Sequence, residues 1–209
     1  MKAIITLGRQ LGSNGKLIGK ALAEKLDIPF YDKALIARTA QESGLSEHLF
    51  DGIEEKPTHS LLYSLVMGVQ STKGLYYQYN DMLNGDNIFK IQADVIKNIA
   101  SEGSCVIVGR CADYILRDHP HLVRLFLCAD EEHRIQTLIE RDTMTEKVAI
   151  AAVAKADKRR ANYYNFYTNK TWGDVKNYDL CLNTGNLSQE ESVQILADYI
   201  AKREAYFKD

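Results

Sequence analysis

Short runs of aliphatic and β-branched residues alternate along the chain with stretches whose apolar positions recur every three or four residues. KAIITL (2–7) is the first such run, and it stops at glycine-rich sequence. From Lys16 onward Ile18, Ala21, Leu22 and Leu26 share one helical face, while Lys20, Glu24 and Lys25 lie on others. The opening therefore predicts a strand, a Gly-rich turn and a helix, then a short strand at IPFYD (28–32). Residues 33–103 read as mostly helical. Helices are expected over 34–41 and 46–54, a break at Pro57, and a helix-length apolar stretch over 60–69. A Tyr-rich piece, GLYYQYNDMLNGDN, precedes a clearer helix from Ile88 to Ala100 that ends at Gly103. SCVIVGR (104–110) has the pattern of a buried strand, 112–117 of a short helix, and LVRLFLCA (122–129) of a further strand. Asp130 is placed to cap a helix running to about Arg141. A second helix covers 145–167, and DLCLNT (179–184) is a last strand. Ser188 and Glu191 have capping-box spacing at the head of a terminal helix. Short apolar strands separated by helices predict an α/β fold, with a parallel sheet of four or five strands covered on both faces.

Composition narrows the class. The chain has 209 residues, 45% hydrophobic and 26% charged, with a formal net charge of −2, which suits one globular domain. A dedicated nucleic-acid binder carries a strong basic excess, so no nucleic-acid partner is expected and any anion site must be a local basic patch. No window approaches the roughly 18 uncharged apolar residues of a membrane span. The apolar run before Gly8 is too short for a signal-peptide core, which predicts a cytoplasmic protein. Cys105, Cys111, Cys128 and Cys181 lack the close pairs of a zinc site and read as reduced, buried thiols. His48, His59, His119, His121 and His133 show no catalytic spacing and receive no role. Nothing in the pattern sets the oligomeric state, so a homo-oligomer stays open.

Candidate chemistry lies in four places. GRQLGSNGK (8–16) joins a strand to a helix, where glycines let backbone N–H groups turn inward and the helix N-terminus adds partial positive charge. Gly8, Gly12, Ser13, Asn14, Gly15 and Lys16 are its candidate phosphate contacts; a Gly-rich turn with no ligand is the alternative. The spacing differs from a regular phosphate loop, since Leu17 stands where a Mg²⁺-binding hydroxyl belongs. Gly109-Arg110 ends the buried strand, the edge at which open parallel sheets bind ligands, and an arginine there suits bidentate phosphate recognition or a salt bridge. Arg134 falls in the first turns of the next long helix, alone most simply one half of a pair with Glu131. Finally, Lys155, Lys158, Arg159, Arg160 and Lys170 oppose a single acid, Asp157. Lys155, Arg159, Tyr163 and Tyr167 share one helical face, with Arg160 and Tyr164 beside it. That surface reads either as a lid over a phosphate and a base or as a solvated helix with snorkelling side chains.

Read in order, these features resemble the cytidylate kinase-like family, within the P-loop nucleoside monophosphate kinases. The resemblance is carried by IITLGRQLGSNGKLIGKALAEKLDIPFYDK, CVIVGRCADYIL, LFLCADEEHRI and DKRRANYYNFYTNKTWGDVKNYDLCLNT, and is thinnest over about 45–90. It implies a single P-loop kinase-like domain over 1–209, a three-layer α/β/α core with a helical acceptor-binding region at about 33–100 and a lid at about 142–175. It implies ATP and Mg²⁺ as cofactors and small nucleotides as partners, with the γ-phosphoryl passing to CMP or dCMP. Another small acceptor, or a nucleotide-binding protein that has lost catalysis, are the alternatives. By the same resemblance Arg110 and Arg134 hold the acceptor phosphate and Asp32 lies near the acceptor nucleotide. Lys16 and the pair Arg159-Arg160 are the catalytic cations, the pair not being resolved further. The departures concern magnesium: Val108 precedes Gly-Arg where an acid is common, Cys111 follows it where aspartate is common, and Ser13 is the nearest hydroxyl, with Asp113 a substitute.

Overall fold

The computed structural model describes residues 1–32 and 85–207, with side chains in the helix that opens at Gly85 described from Phe89 onward. The helices expected over 34–41, 46–54 and 60–69, and the tyrosines at 76–79, lie outside the described residues. Five parallel strands form one sheet in the order β2-β3-β1-β4-β5: β1 Ile4–Arg9, β2 Phe30–Tyr31, β3 Cys105–Val108, β4 Leu122–Cys128 and β5 Leu180–Asn183. Between them run α1 Gly15–Leu26, α2 Gly85–Glu102, α3 Ala112–Ile115, α4 Glu131–Asp142 and α5 Glu146–Thr168, and α6 Gln189–Glu204 ends the chain.

Both faces of the sheet are covered, and the period-two pattern of the strands decides which side chain goes where. Ile5 and Leu7 of β1, with Val106, Val108, Val123, Leu125 and Leu127, face one way. They pack on Ile18 and Leu22 of α1 and on Val193, Leu196 and Ile200 of α6. Ile4, Cys105, Ile107 and Leu122 face the other way, against Val95, Ile96 and Ile99 of α2 and Ala112 and Ile115 of α3. The result is a three-layer α/β/α fold. Cys105, inside this second core, is pushed up to about 12 by burial, with the Glu102 charge adding to it, so its thiol stays protonated and inert.

Several local expectations are refined. β1 runs two residues further than KAIITL suggests, through Gly8 and Arg9, because β4 continues beside it and pairs Gly8 with Phe126 and Arg9 with Leu127. β2 shrinks to two residues at the sheet edge. Ser188 and Glu191 do close a reciprocal capping box on α6. Asp130 sits at the N-cap of α4 but makes no side-chain cap hydrogen bond; its carboxylate accepts from Asn183 Nδ2 at 3.3 Å instead, tying α4 to the end of β5. No helix among the described residues is long and apolar enough to cross a membrane.

β5 is held by an ion pair as well as by its ladder. Asp179 accepts from the Arg124 backbone N–H at 2.8 Å and from its Nη2 at 2.7 Å, while Tyr199 of α6 donates to the Asp179 carbonyl at 3.0 Å. Burial alone would raise the Asp179 pKa, but the hydrogen bonds and charge of Arg124 outweigh it and hold the carboxyl below the usual carboxylate range. The folded value lies below the unfolded one. Its contribution is therefore present above the unfolded pKa of about 4 and is lost as pH falls through the folded value. Asp179→Asn is expected to lower stability by about 2 kcal/mol at neutral pH, through loss of charge-assisted hydrogen bonds. Its deficit should fade on acidification, as urea midpoints at neutral pH and near pH 3 would show. An equal deficit at both values would mean that the pair contributes through packing alone.

Candidate functional site

The carboxyl ends of β1 and β3 open into a small cleft, partly open to solvent. β1 contributes Gly8 and Arg9, and the turn after β3 contributes Gly109 and Arg110. Asp113 of α3 and Arg160, Tyr163 and Tyr164 of α5 complete the polar lining, with Trp172 and Tyr178 against the far wall. Three guanidinium-bearing residues thus border one small volume.

Arg110 owes its position to an uncommon backbone. Gly109, Arg110 and Cys111 take φ of 76°, 56° and 55°, three left-handed residues in succession, two of them not glycine. Such a conformation costs of order 1 kcal/mol per residue, so the rest of the structure must hold it. The outcome is that Arg110 lines the cleft while only 6% exposed, with its Nη1 buried and lacking a hydrogen-bond partner among the described residues. Its guanidinium lies 5.9 Å from the Tyr163 ring centre. A buried, unsatisfied cationic donor is costly on its own, and an anion would satisfy it.

α5 covers the cleft through polar contacts and an aromatic stripe. Arg160 Nη1 donates to the Arg9 carbonyl at 3.0 Å, and Tyr164 donates its hydroxyl to Asp113 Oδ2 at 2.7 Å. Burial raises the pKa of Asp113, partly offset by the Tyr164 hydroxyl, and raises that of Tyr164. Tyr163 and Tyr164 are buried, and Tyr163 packs with Phe89 and Tyr167, the last stacked on Phe89 at 4.1 Å. The aromatic part of the basic-aromatic face of this helix, with Tyr163 and Tyr164, is therefore packed, whereas Lys155 is exposed. Of the pair Arg159-Arg160, it is Arg160 that lines the cleft.

Other candidates stand apart from this group. Lys16 Nζ pairs with Asp32 Oδ2 at 2.7 Å with its side chain 67% exposed, so these two expected site residues meet each other and neither lines the cleft. Arg134 is buried, donating from Nε to the Leu11 carbonyl at 2.8 Å and from Nη2 to Asp157 Oδ2 at 2.7 Å. Its ion partner is Asp157 of α5 rather than Glu131, because the side chain passes under the glycine-rich turn instead of along its own helix. Ser13 is fully buried, and its hydroxyl donates to the Gln10 carbonyl at 2.9 Å. Asn14 caps α1 at φ 55° without a side-chain cap bond, and Arg141 Nη1 donates to its Oδ1 at 3.3 Å. The first N–H groups of α1 thus have no side-chain cap, the usual setting for an anion at a helix N-terminus.

Gly12 fixes the shape of that turn. It takes φ +85°, and a Cβ there would stand 2.5 Å from the Arg134 carbonyl oxygen. Gly12→Ala is expected to cost about 2 kcal/mol from left-handed strain alone, and more from the overlap, giving a Tm lower by roughly 4–8 °C in calorimetry. An unchanged Tm would show that the turn does not rest on Arg134.

Sequence reasoning overlooked Arg9 and Asp157. Ending the first strand at Leu7 placed Arg9 in a loop. Carried two residues further, the strand puts Arg9 at the same carboxyl edge that singled out Arg110. Asp157 was visible as the single acid of a basic run, the residue that neutralises a cation from elsewhere.

The phosphates of a nucleotide fit these residues, through the buried Arg110 donor and the uncapped α1 N-terminus. Magnesium fits them less well. Among the described residues no group of three or more His, Cys, Asp or Glu side chains could hold a metal ion. The Ser13 hydroxyl is engaged, and the Asp113 carboxyl is bound by Tyr164 with its charged form disfavoured.

Comparison with known proteins agrees with this architecture. A cytidylate kinase from Methanobrevibacter smithii is 25% identical over 194 residues, covering 92% of this chain and 95% of that protein. A crystal structure of an uncharacterized protein from Eubacterium ventriosum matches at 29% identity and a TM-score of 0.72, over 96% of this chain and 99% of that one. The shikimate kinase of Bacteroides thetaiotaomicron shares the fold at 15% identity and a TM-score of 0.54, over 96% and 99% of the two chains. The model of the cytidylate kinase-like family matches residues 4–186, and the chain belongs to that family and is a phosphotransferase.

Proposed function

We propose that the protein is an ATP-dependent nucleoside monophosphate kinase that transfers the γ-phosphoryl group to CMP or dCMP. The observation that carries this reading is the buried Arg110 Nη1, without a hydrogen-bond partner among the described residues, in a cleft also lined by Arg9 and Arg160. Phosphoryl transfer needs alignment and stabilisation of spread negative charge, and arginine forks supply both. In this reading Arg110 binds the acceptor phosphate. Arg160 stabilises the group in transfer, and the turn of Gly8, Gly12, Asn14 and Gly15 cradles the donor phosphates with Lys16 at its outer edge. Arg134 reaches the acceptor by exchanging Asp157 for its phosphate, and Asp32 faces the acceptor nucleotide once Lys16 turns to the donor. Residues 142–175 act as the lid, α5 excluding water from the cleft and suppressing ATP hydrolysis. Mg²⁺, when bound with ATP, neutralises charge on the donor phosphates, and it would be carried mainly by the nucleotide and water. Choice of a cytidine acceptor is supported by the name of the Methanobrevibacter relative.

The test is ADP release with ATP, Mg²⁺ and a panel of nucleoside monophosphates, ATP alone serving as the blank. Turnover that depends on CMP or dCMP is the expected result. Turnover on another nucleotide would keep the chemistry and change the acceptor. Silence across the panel, with ATP binding seen by calorimetry, would overturn the nucleoside monophosphate acceptor in favour of a different acceptor or a lost activity.

A further inference from the structure

Two glycines of this chain make room for one arginine. A Cβ at Gly15, the first residue of α1, would stand 2.6 Å from Arg9 Cβ and 2.9 Å from its Cγ. A Cβ at Gly109, at the end of β3, would overlap Arg9 Nη1. The Arg9 side chain therefore runs along a glycine-walled channel from the N-terminus of α1, on the expected donor side, to the turn that carries Arg110. Its own carbonyl receives the hydrogen bond of Arg160 at 3.0 Å. Lys16, the cation expected for this role, is turned to Asp32 and does not line the cleft.

We propose that Arg9 is a catalytic residue of this chain, its guanidinium contacting the phosphoryl group in transfer from between the donor turn and Arg110. The proposal rests on the kinase reading above and deepens it. Three guanidinium-bearing residues line one cleft, and among the described lining residues the one carboxylate, Asp113, accepts the Tyr164 hydroxyl. A phosphoryl group placed there lies within the reach of Arg9 and Arg110 together. The planar fork of arginine offers two parallel N–H bonds to a phosphoryl group, which an ammonium cannot match. In the step itself the bond between the γ-phosphorus and the β–γ bridging oxygen breaks, and its electron pair stays on the leaving ADP. A new P–O bond forms from an oxygen of the acceptor monophosphate. ATP⁴⁻ and a nucleoside monophosphate dianion give ADP³⁻ and a diphosphate trianion, so Arg9 neither gains nor loses a proton. Its role is to hold charge.

The experiment compares wild type, Arg9→Met, Arg9→Lys and Lys16→Met, first by calorimetric binding of ATP and of inorganic tripolyphosphate, then by ADP release with the acceptor. Arg9→Met is expected to weaken both ligands at least tenfold and to lower kcat about a hundredfold, with Tm recorded to show that it is folded. Arg9→Lys should recover binding more than kcat, since it restores charge but not the fork. Lys16→Met should do less harm than Arg9→Met in both measurements. Wild-type binding and kcat in Arg9→Met, or a larger loss in Lys16→Met, would overturn the proposal. Wild type that binds ATP but turns over no acceptor would overturn the kinase reading, while the Arg9 binding comparison would still decide the phosphate contact. Wild type that binds neither ATP nor tripolyphosphate would overturn both. If Arg9→Met fails to fold, Arg9→Lys decides through its kcat: no loss there overturns the proposal.

Discussion

Arg110→Met is expected to lower kcat/KM for the acceptor about a thousandfold while leaving the fold intact. Methionine keeps much of the apolar length of arginine and removes the guanidinium that lines the cleft. Two charge-assisted hydrogen bonds to a phosphate at about 2 kcal/mol each amount to roughly three powers of ten. Stability should change little, because losing the Tyr163 contact is offset by removing an Nη1 that is buried without a hydrogen-bond partner among the described residues; methionine inherits the left-handed backbone unchanged. Arg110→Lys should fall between wild type and Arg110→Met, since it keeps the charge and loses the paired geometry. The split between KM and kcat assigns the contact. A rise confined to KM places it in the ground state, and a fall in kcat places it in the transition state. Full activity in Arg110→Met would remove the acceptor phosphate from this cleft.

The largest effect on stability is expected at Asp157. Arg134 is 4% exposed, and its two polar contacts hold the carbonyl of the glycine-rich turn and the carboxylate of α5. Removing one partner of such a pair leaves a buried charge uncompensated, which costs about 3–5 kcal/mol. Asp157→Ala should therefore lower Tm by roughly 6–20 °C in calorimetry or shift the urea midpoint to match. The double change Asp157→Ala with Arg134→Met should recover part of that loss, because the charge leaves with its partner. Loss of less than 1 kcal/mol in Asp157→Ala would mean that water replaces the carboxylate and that α5 is not fastened there. Asp157 and Arg160 lie three residues apart on one helix, so a loosened Asp157 contact should also disturb the Arg160 hydrogen bond to Arg9. The double change then isolates that effect on activity from the stability loss.

Strand and helix placement was legible in the order of residues because the central strands β1, β3 and β4 bury both faces. β-branched runs such as CVIV have no competing helical reading when glycine and a turn bound them. The capping box at Ser188 was legible for a similar reason, its two side chains lying within one turn. Asp130 was not, since its carboxylate found a donor on β5, 53 residues away. The candidate site divides along the same line. Arg110 could be read from its place at a strand end. The choice of Arg160 over Arg159 could not, because adjacent helical residues differ by about 100° and only the packing of Tyr163 and Tyr164 sets the rotation of α5.

What the amino-acid order determined by itself was the layered α/β class, the strand-turn-helix that opens the chain, and a store of arginines in an otherwise near-neutral protein. Those follow from local periodicity, glycine placement and charge, each confined to a few neighbouring residues. The tertiary structure decided the partners of the cations. It turned Lys16 to Asp32, buried Arg134 against Asp157, and left Arg9, Arg110 and Arg160 bordering one cleft. An ion pair forms with whatever carboxylate the packed helices bring within reach. That distance is set by the whole fold, because it depends on how α4 and α5 meet and on how far β1 runs beside β4.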